Sequence, residues 1–284
     1  MFKNILVATD LRPRSEEILC GLVSLDPAAA GKITLLHVLD ERSGGKALSP
    51  EARDILEGQK ASLQKRGFSV EEAVIPGIPF DIIVHEAQVK EASLVVIGQG
   101  DSPRWKSRIM GETVLRVLEL SPCPVLVCRC EERRRPLFED VVLGVDFSNE
   151  AHHALLALKK RSRIFRKVTL LHVHEQKNID LLLKLVTEEQ IGQIVALEQE
   201  RLEEMVAGLK EAGVAEVAVR MRTGKPVDEV LADIVENRPT LVVLGAQGQG
   251  RSEMYRIGTT AFRVAQMASC CVLVVPLSRP ALPF

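Results

Sequence analysis

The chain has 284 residues, 46% hydrophobic and 26% charged, with a formal net charge of −1. That suits two globular domains and gives no electrostatic reason to expect nucleic acid or an anionic membrane as a partner. No run reaches the roughly 18 apolar residues of a membrane span, MFKNILVATD is too short in its apolar part for a signal peptide, and six cysteines without regular spacing make no disulfide framework; the expected compartment is the cytoplasm.

In chain order, short runs rich in valine, isoleucine and leucine fall near 4–9, 32–39, 69–75, 93–97 and 124–128, with helix-patterned segments between them. The charged, proline-containing stretch RCEERRRPLFED, 129–140, then reads as a linker. The pattern starts again, with runs near 140–145, 167–173, 215–221, 240–244 and 271–275. The two halves match: NILVATD (4–10) reads against DVVLGVD (140–146), ITLLHV (33–38) against VTLLHV (168–173), LVVIGQG (94–100) against LVVLGAQ (241–247), and CPVLVC (123–128) against CCVLVV (270–275). We therefore expect two domains, 1–130 and 138–284, with about a dozen extra residues in the second between Val173 and Gly224. The extra residues belong to a helix-patterned stretch, 178–213, that is expected to pack its leucine face on its own domain.

Apolar runs without alternation, separated by amphipathic helices, imply strands buried on both faces by crossover helices, which is a parallel α/β sheet in each half. Such a sheet binds ligands beyond the carboxyl ends of its strands, where chain order reverses. With a strand order of 3-2-1-4-5, the first and fourth strands are neighbours. Asp146, which follows the first run of the second half, and the glycine loop VVLGAQGQGRSEMYRIGTT (242–260), which follows the fourth, would then border one crevice. Gly245 and Gly248 let backbone amides approach an anion without a Cβ in the way. Gly258-Thr259-Thr260 opens the segment TTAFRVAQMAS, where free amides, hydroxyls and the positive end of the helix dipole face the same point, and Arg251 and Arg256 could add charge. TGKP (223–226) is no P-loop, because no glycine stands five before Gly224 and Pro226 takes the hydroxyl position.

Asp146, His172-Val173, Gly224-Lys225-Pro226 and Gly245/Gly248/Gly258-Thr259 together match the pattern of the universal stress protein family, and the chain resembles a tandem two-domain member. The resemblance implies two five-stranded, doubly wound parallel sheets of order 3-2-1-4-5, the adenine-nucleotide alpha-hydrolase-like fold. It implies that Asp146 and the backbone near Val173 hold an adenosine, that Gly245 and Gly248 line the ribose and phosphates, and that Gly258, Thr259 and Thr260 bind the phosphates. The ligand implied is ATP or AMP, with Mg as a companion cation, in a regulatory or sensing protein. A slow ATPase or nucleotidyl-transfer enzyme using the same pocket and a nucleotide-free interaction scaffold are the alternatives. The resemblance also implies an intrachain pseudo-dimer through the last strand of each half, and leaves room for a homodimer of whole chains.

The first half keeps Asp10, His37-Val38 and Gly77-Ile78-Pro79, but Asp101 stands at the second glycine position and Glu112 follows Gly111 where a hydroxyl belongs. Carboxylates facing a phosphate repel it, so triphosphate binding is expected to be lost there. Trp105 also falls in this loop. His37 and His172 lie inside strands and read as buried and hydrogen-bonded; His152 and His153 open a helix and point apart. No spacing of histidine, cysteine and carboxylate suggests a metal site. Cys128 and Cys130 could be proposed as a redox pair, but small apolar filling is the better reading for all six cysteines.

Overall fold

The computed structural model describes residues 2–12, 18–19, 22, 25–27, 30–44, 47–99, 110–129, 135–248 and 257–276. The ten apolar runs are strands: β1 (Asn4–Ala8), β2 (Lys32–Asp40), β3 (Ser69–Gly77), β4 (Leu94–Gly98) and β5 (Val125–Cys128), then β6 (Asp140–Val145), β7 (Lys167–Glu175), β8 (Glu216–Gly224), β9 (Leu241–Gly245) and β10 (Cys271–Val275). The helices α1 (Pro50–Lys65), α2 (Pro79–Val89) and α3 (Glu112–Leu120) serve the first half. The second half has α4 (Asn149–Lys159), α5 (Gln176–Leu185), α6 (Glu188–Glu211), α7 (Pro226–Asn237) and α8 (Thr259–Met267).

Helix starts follow from local chemistry. Ser49 accepts from the Ala52 amide with Pro50 at the first position, Ser148 accepts from the Ala151 amide, and Thr187 and Gln190 form a reciprocal capping box. The segment 178–213 is thus split between two helices by the Thr187 cap. The core takes Leu202 and Leu209 of α6, while Leu181, Leu185 and Leu197 stay exposed. The expectation of a self-packed leucine face therefore holds for Leu202 and Leu209 of α6 and is not met by Leu197 of α6 or by Leu181 and Leu185 of α5.

Each half has the expected order, and the two sheets merge into one of ten strands, β3-β2-β1-β4-β5-β10-β9-β6-β7-β8. The strands pair in parallel within each half; β5 and β10 pair antiparallel, with Val272 opposite Val127, Leu273 opposite Leu126 and Val274 opposite Val125. These six side chains are buried, and burying each contributes on the order of 1.5–3 kcal/mol. Two strands that would otherwise end their sheets cover one another. The joint continues above the sheet, where first-half side chains reach the last carbonyls of α8. Gln99 Nε2 donates to Ala265 O at 3.1 Å and Gln266 O at 2.6 Å, and Arg129 donates to Ala268 O at 2.6 Å and Gln266 O at 3.3 Å.

Alternate residues along the strands feed two cores. Val141, Leu143, Val145, Val168 and Leu170 face α4 and α6, whereas Val142, Leu171, Val242 and Leu244 face α7 and α8. Among the described residues no helix is long and apolar enough to cross a membrane.

Candidate functional site

The site grows from the end of β6. Val145 is in register with His172 of β7, so Asp146 and Val173 stand at the same level just beyond it. Phe147 turns the chain with φ of 58°, a left-handed conformation that a bulky residue adopts only under constraint. The Asp146 carboxylate accepts from the Ser148 amide at 3.0 Å and from its hydroxyl at 2.5 Å, and Ser148 caps α4. The turn, the acid and the helix start are therefore one unit.

His172 fixes that unit from the neighbouring strand. Its Nδ1 lies 2.7 Å from Val145 O; a carbonyl only accepts, so Nδ1 carries the proton. The first half repeats the device, with Leu11 at φ 54°, the Arg12 amide donating to Asp10 Oδ1 at 3.3 Å, and His37 Nδ1 at 3.0 Å from Thr9 O. Both strand histidines are hydrogen-bonded as expected; His172 is buried and His37 partly so.

The glycine loop leaves β9, which lies beside β6 with Val141 opposite Leu241 and Leu143 opposite Val243. A Cβ at Gly245 would stand 2.6 Å from Glu150 Cβ and 3.0 Å from the Ala151 amide nitrogen, so close packing of the first turn of α4 already requires glycine there. At Gly248 a Cβ would stand 2.5 Å from Asp146 Oδ2. The absent side chain is what lets this backbone lie against the acid. The Gly258 amide donates to Ala246 O at 2.7 Å, folding the far end of the loop back onto its beginning. α8 then starts at Thr259 with no side-chain cap, and its first amides have no acceptor within the helix. The described residues thus set Gly248 against Asp146, and Gly258, at the start of α8 before Thr259 and Thr260, against Ala246 and Gly248; Val173 stands one strand away on β7. Arg251 and Arg256 lie outside the described residues.

At the corresponding place in the first half, α3 begins with Glu112 after Gly111. Arg42 donates to Glu112 Oε2 at 3.0 Å and to Asp40 Oδ1 at 3.1 Å. The Arg42 guanidinium holds the Asp40 carboxyl below its ordinary pKa. Asp101 and Trp105 lie outside the described residues.

One group of residues escapes the sequence reading. His172 and His174 share a face of β7, and Glu198 of α6 comes down onto them. Glu198 Oε2 is 3.3 Å from His174 Nδ1 and 3.8 Å from His172 Nε2. The His172 ring also packs against Phe147, with centroids 4.8 Å apart, and Arg201 lies over the Phe147 ring at 4.3 Å. Burial pushes the His174 pKa down and His172 adds to this, while Glu198 acts in the opposite sense. The spacing His-x-His on a strand was the available signal, since it places both rings on one face; the approach of Glu198 was not legible.

Cys123, Cys128, Cys270 and Cys271 are free and buried, and Cys270 and Cys271 enter opposite cores. Desolvation pushes the Cys123 thiol up to about 11, which keeps it protonated and unreactive. Cys20 and Cys130 lie outside the described residues. His152 and His153 sit in α4, one exposed and one half-buried.

Comparison with known proteins agrees with this architecture. The model of the universal stress protein family matches residues 1–129 and again 137–276. The chain is 27% identical over 241 residues to the universal stress protein Rv2623 of Mycobacterium tuberculosis, covering 82% of this chain and 77% of that one. It is 26% identical over 155 residues to the universal stress protein MJ0577 of Methanocaldococcus jannaschii, covering 45% of this chain and 96% of that one. Among solved structures, a universal stress protein from Archaeoglobus fulgidus superposes with a TM-score of 0.73 at 21% identity, over 96% of this chain and 98% of its own. With a family match in each half and the expected strand order twice over, this chain belongs to the universal stress protein family.

Proposed function

We propose that the second half of the chain, within a unit spanning 138–284, binds an adenine nucleotide, ATP or AMP, and that the protein is a cytoplasmic regulator or sensor in the stress response. Asp146 and the backbone at Val173 hold the adenosine. Gly245 and Gly248 line the ribose and phosphates, and Gly258, Thr259 and Thr260 bind the phosphates. The observation that carries this reading is the return of the loop through the bond from the Gly258 amide to Ala246 O, which sets the uncapped start of α8 beside Gly248 and Asp146. Helix amides and the positive end of the dipole favour an anion at that place, and the nearby carboxylate suits the hydroxyls of a ribose.

In the first half, 1–130, a carboxylate of the chain itself opens the equivalent helix, and Arg42 pairs with it. An incoming phosphate would meet like charge, so this half does not hold a triphosphate.

The test is mass spectrometry of small molecules released when the purified protein is denatured, followed by calorimetric titration of Asp146→Ala and Gly258→Val with ATP and AMP. Loss of affinity in both variants is expected. Wild-type affinity in both would overturn the pocket.

A further inference from the structure

We propose that His172 Nε2, His174 Nδ1 and the Glu198 carboxylate form a binding site for a divalent transition metal of the zinc class. With Nδ1 of His172 donating to Val145 O, Nε2 of the neutral ring is left as an acceptor. It faces Glu198 Oε2, another acceptor, at 3.8 Å, and both atoms are buried without a hydrogen-bond partner among the described residues. Only 8% of the His172 side chain is exposed. Two buried acceptors this close are unfavourable unless a proton or a metal ion joins them, and the third donor atom beside them, His174 Nδ1, suits a metal ion.

The geometry fits such an ion. The three ligand atoms lie within 4.8 Å of one another, and Glu198 Oε2 stands 3.3 Å from His174 Nδ1. Ligands about 2.0–2.1 Å from a tetrahedral zinc lie roughly 3.3 Å apart, so convergence needs side-chain shifts of about an ångström, within a rotamer well. Two imidazoles and one carboxylate suit zinc and its neighbours better than magnesium or calcium, which take oxygen ligands. The carbonyl of Val145 completes the arrangement. A ligating histidine commonly donates its other ring N–H to a carbonyl, which fixes ring and tautomer.

The first half supplies an internal comparison. It keeps His37 and its bond to Thr9 O, yet Leu39 stands where the second half has His174, and Glu198 comes from the segment that carries the extra residues. The histidine that pins the strand end is thus common to both halves, whereas the two further ligands occur together in one. An ion here would grip the strand end next to Asp146 from the α6 side, through His172 and Val145.

The test uses the full chain, treated with a chelator and free of nucleotide, titrated with Co2+ and then Zn2+ and followed by calorimetry and visible absorption. Binding of one equivalent is expected, with cobalt absorption of low-symmetry four-coordinate type displaced by zinc. His174→Leu and Glu198→Gln should each lower the affinity a hundredfold or more while leaving the melting midpoint of the metal-free protein unchanged. Joint replacement of His152 and His153 by alanine should leave binding intact. The glutamine variant preserves side-chain shape, so it decides the matter even should the leucine variant fold poorly. Absence of a one-equivalent site in the wild type, or wild-type affinity in Glu198→Gln, would overturn the proposal. Because nucleotide is excluded throughout, either result is independent of the adenine-nucleotide reading.

Discussion

Replacing Gly248 by alanine tests the crevice through one methyl group. Gly248 is not among the glycines with left-handed φ, so the effect of the change is a contact and not backbone strain. The new Cβ would stand 2.5 Å from Asp146 Oδ2, and ordinary contact begins at 3.4 Å. The carboxylate must therefore retreat by nearly an ångström, or the loop must lift by as much. Asp146 is held by the Ser148 amide at 3.0 Å and its hydroxyl at 2.5 Å, and a displacement of that size breaks at least one of these bonds. A hydrogen bond to a charged group is worth about 1.5–3 kcal/mol, and each 1.4 kcal/mol is about tenfold in affinity. Calorimetric titration with ATP and AMP should show affinity reduced about ten- to a hundredfold. The control is Gly192→Ala on α6, where a Cβ would meet nothing within 4 Å. Nucleotide affinity in Gly248→Ala within threefold of wild type would refute the placement of Asp146 and the loop around one ligand.

The same control variant carries its own expectation: glycine inside a helix is less favourable than alanine by about 1 kcal/mol, so Gly192→Ala should raise stability by about 0.5–1 kcal/mol in urea unfolding. Asp233 is fully buried and pairs with Arg220 at 3.0 Å and Arg222 at 3.5 Å; Asp233→Ala leaves those cations without their shared anion and should cost about 3 kcal/mol in the same assay. Lys32, Thr34 and Lys90 bonded to Glu71 lower its pKa from 4.5 to about 2. Since the folded value lies below the unfolded one, this stabilisation is whole above about pH 4.5 and is lost as pH falls through about 2. The Glu71 side chain is 32% exposed, so solvent screening reduces the contribution to about 1 kcal/mol, and Glu71→Gln should flatten the acid limb of a stability–pH curve by that amount.

Most strands were legible because they are short apolar runs between helical segments, a pattern that depends only on neighbours in sequence; β3 and β8, which carry Glu71, Glu72, Arg220 and Arg222 and have no buried residue, are the two edges of the sheet and depart from the expected burial on both faces. Asp146 and the loop 245–260 were legible for a related reason: both stand at strand ends, and strand order puts the two ends side by side. The joint between halves could be argued from β5 and β10 as the last strands of their sheets. What sequence spacing does not carry is the descent of one helix onto a strand. Glu198 is far along the chain from His172 and His174, and only the packing of α6 through Leu202 and Leu209 sets its position. Gly245 shows a different limit. The sequence argues for glycine there from close approach of a ligand, and the packing of Glu150 and Ala151 of α4 adds a second demand that spacing does not reveal.

The clasp on α8 has a mechanical consequence. Its far end is tethered by Gln99 and Arg129, residues that follow β4 and β5 of the other half, while its near end opens on the crevice. A rod of 9 residues does not bend appreciably, so drawing Thr259 inward by a fraction of an ångström displaces the anchoring amide and guanidinium by a similar distance. A helix of the second half is anchored to the strand ends of the first, and the two halves share it as a common part.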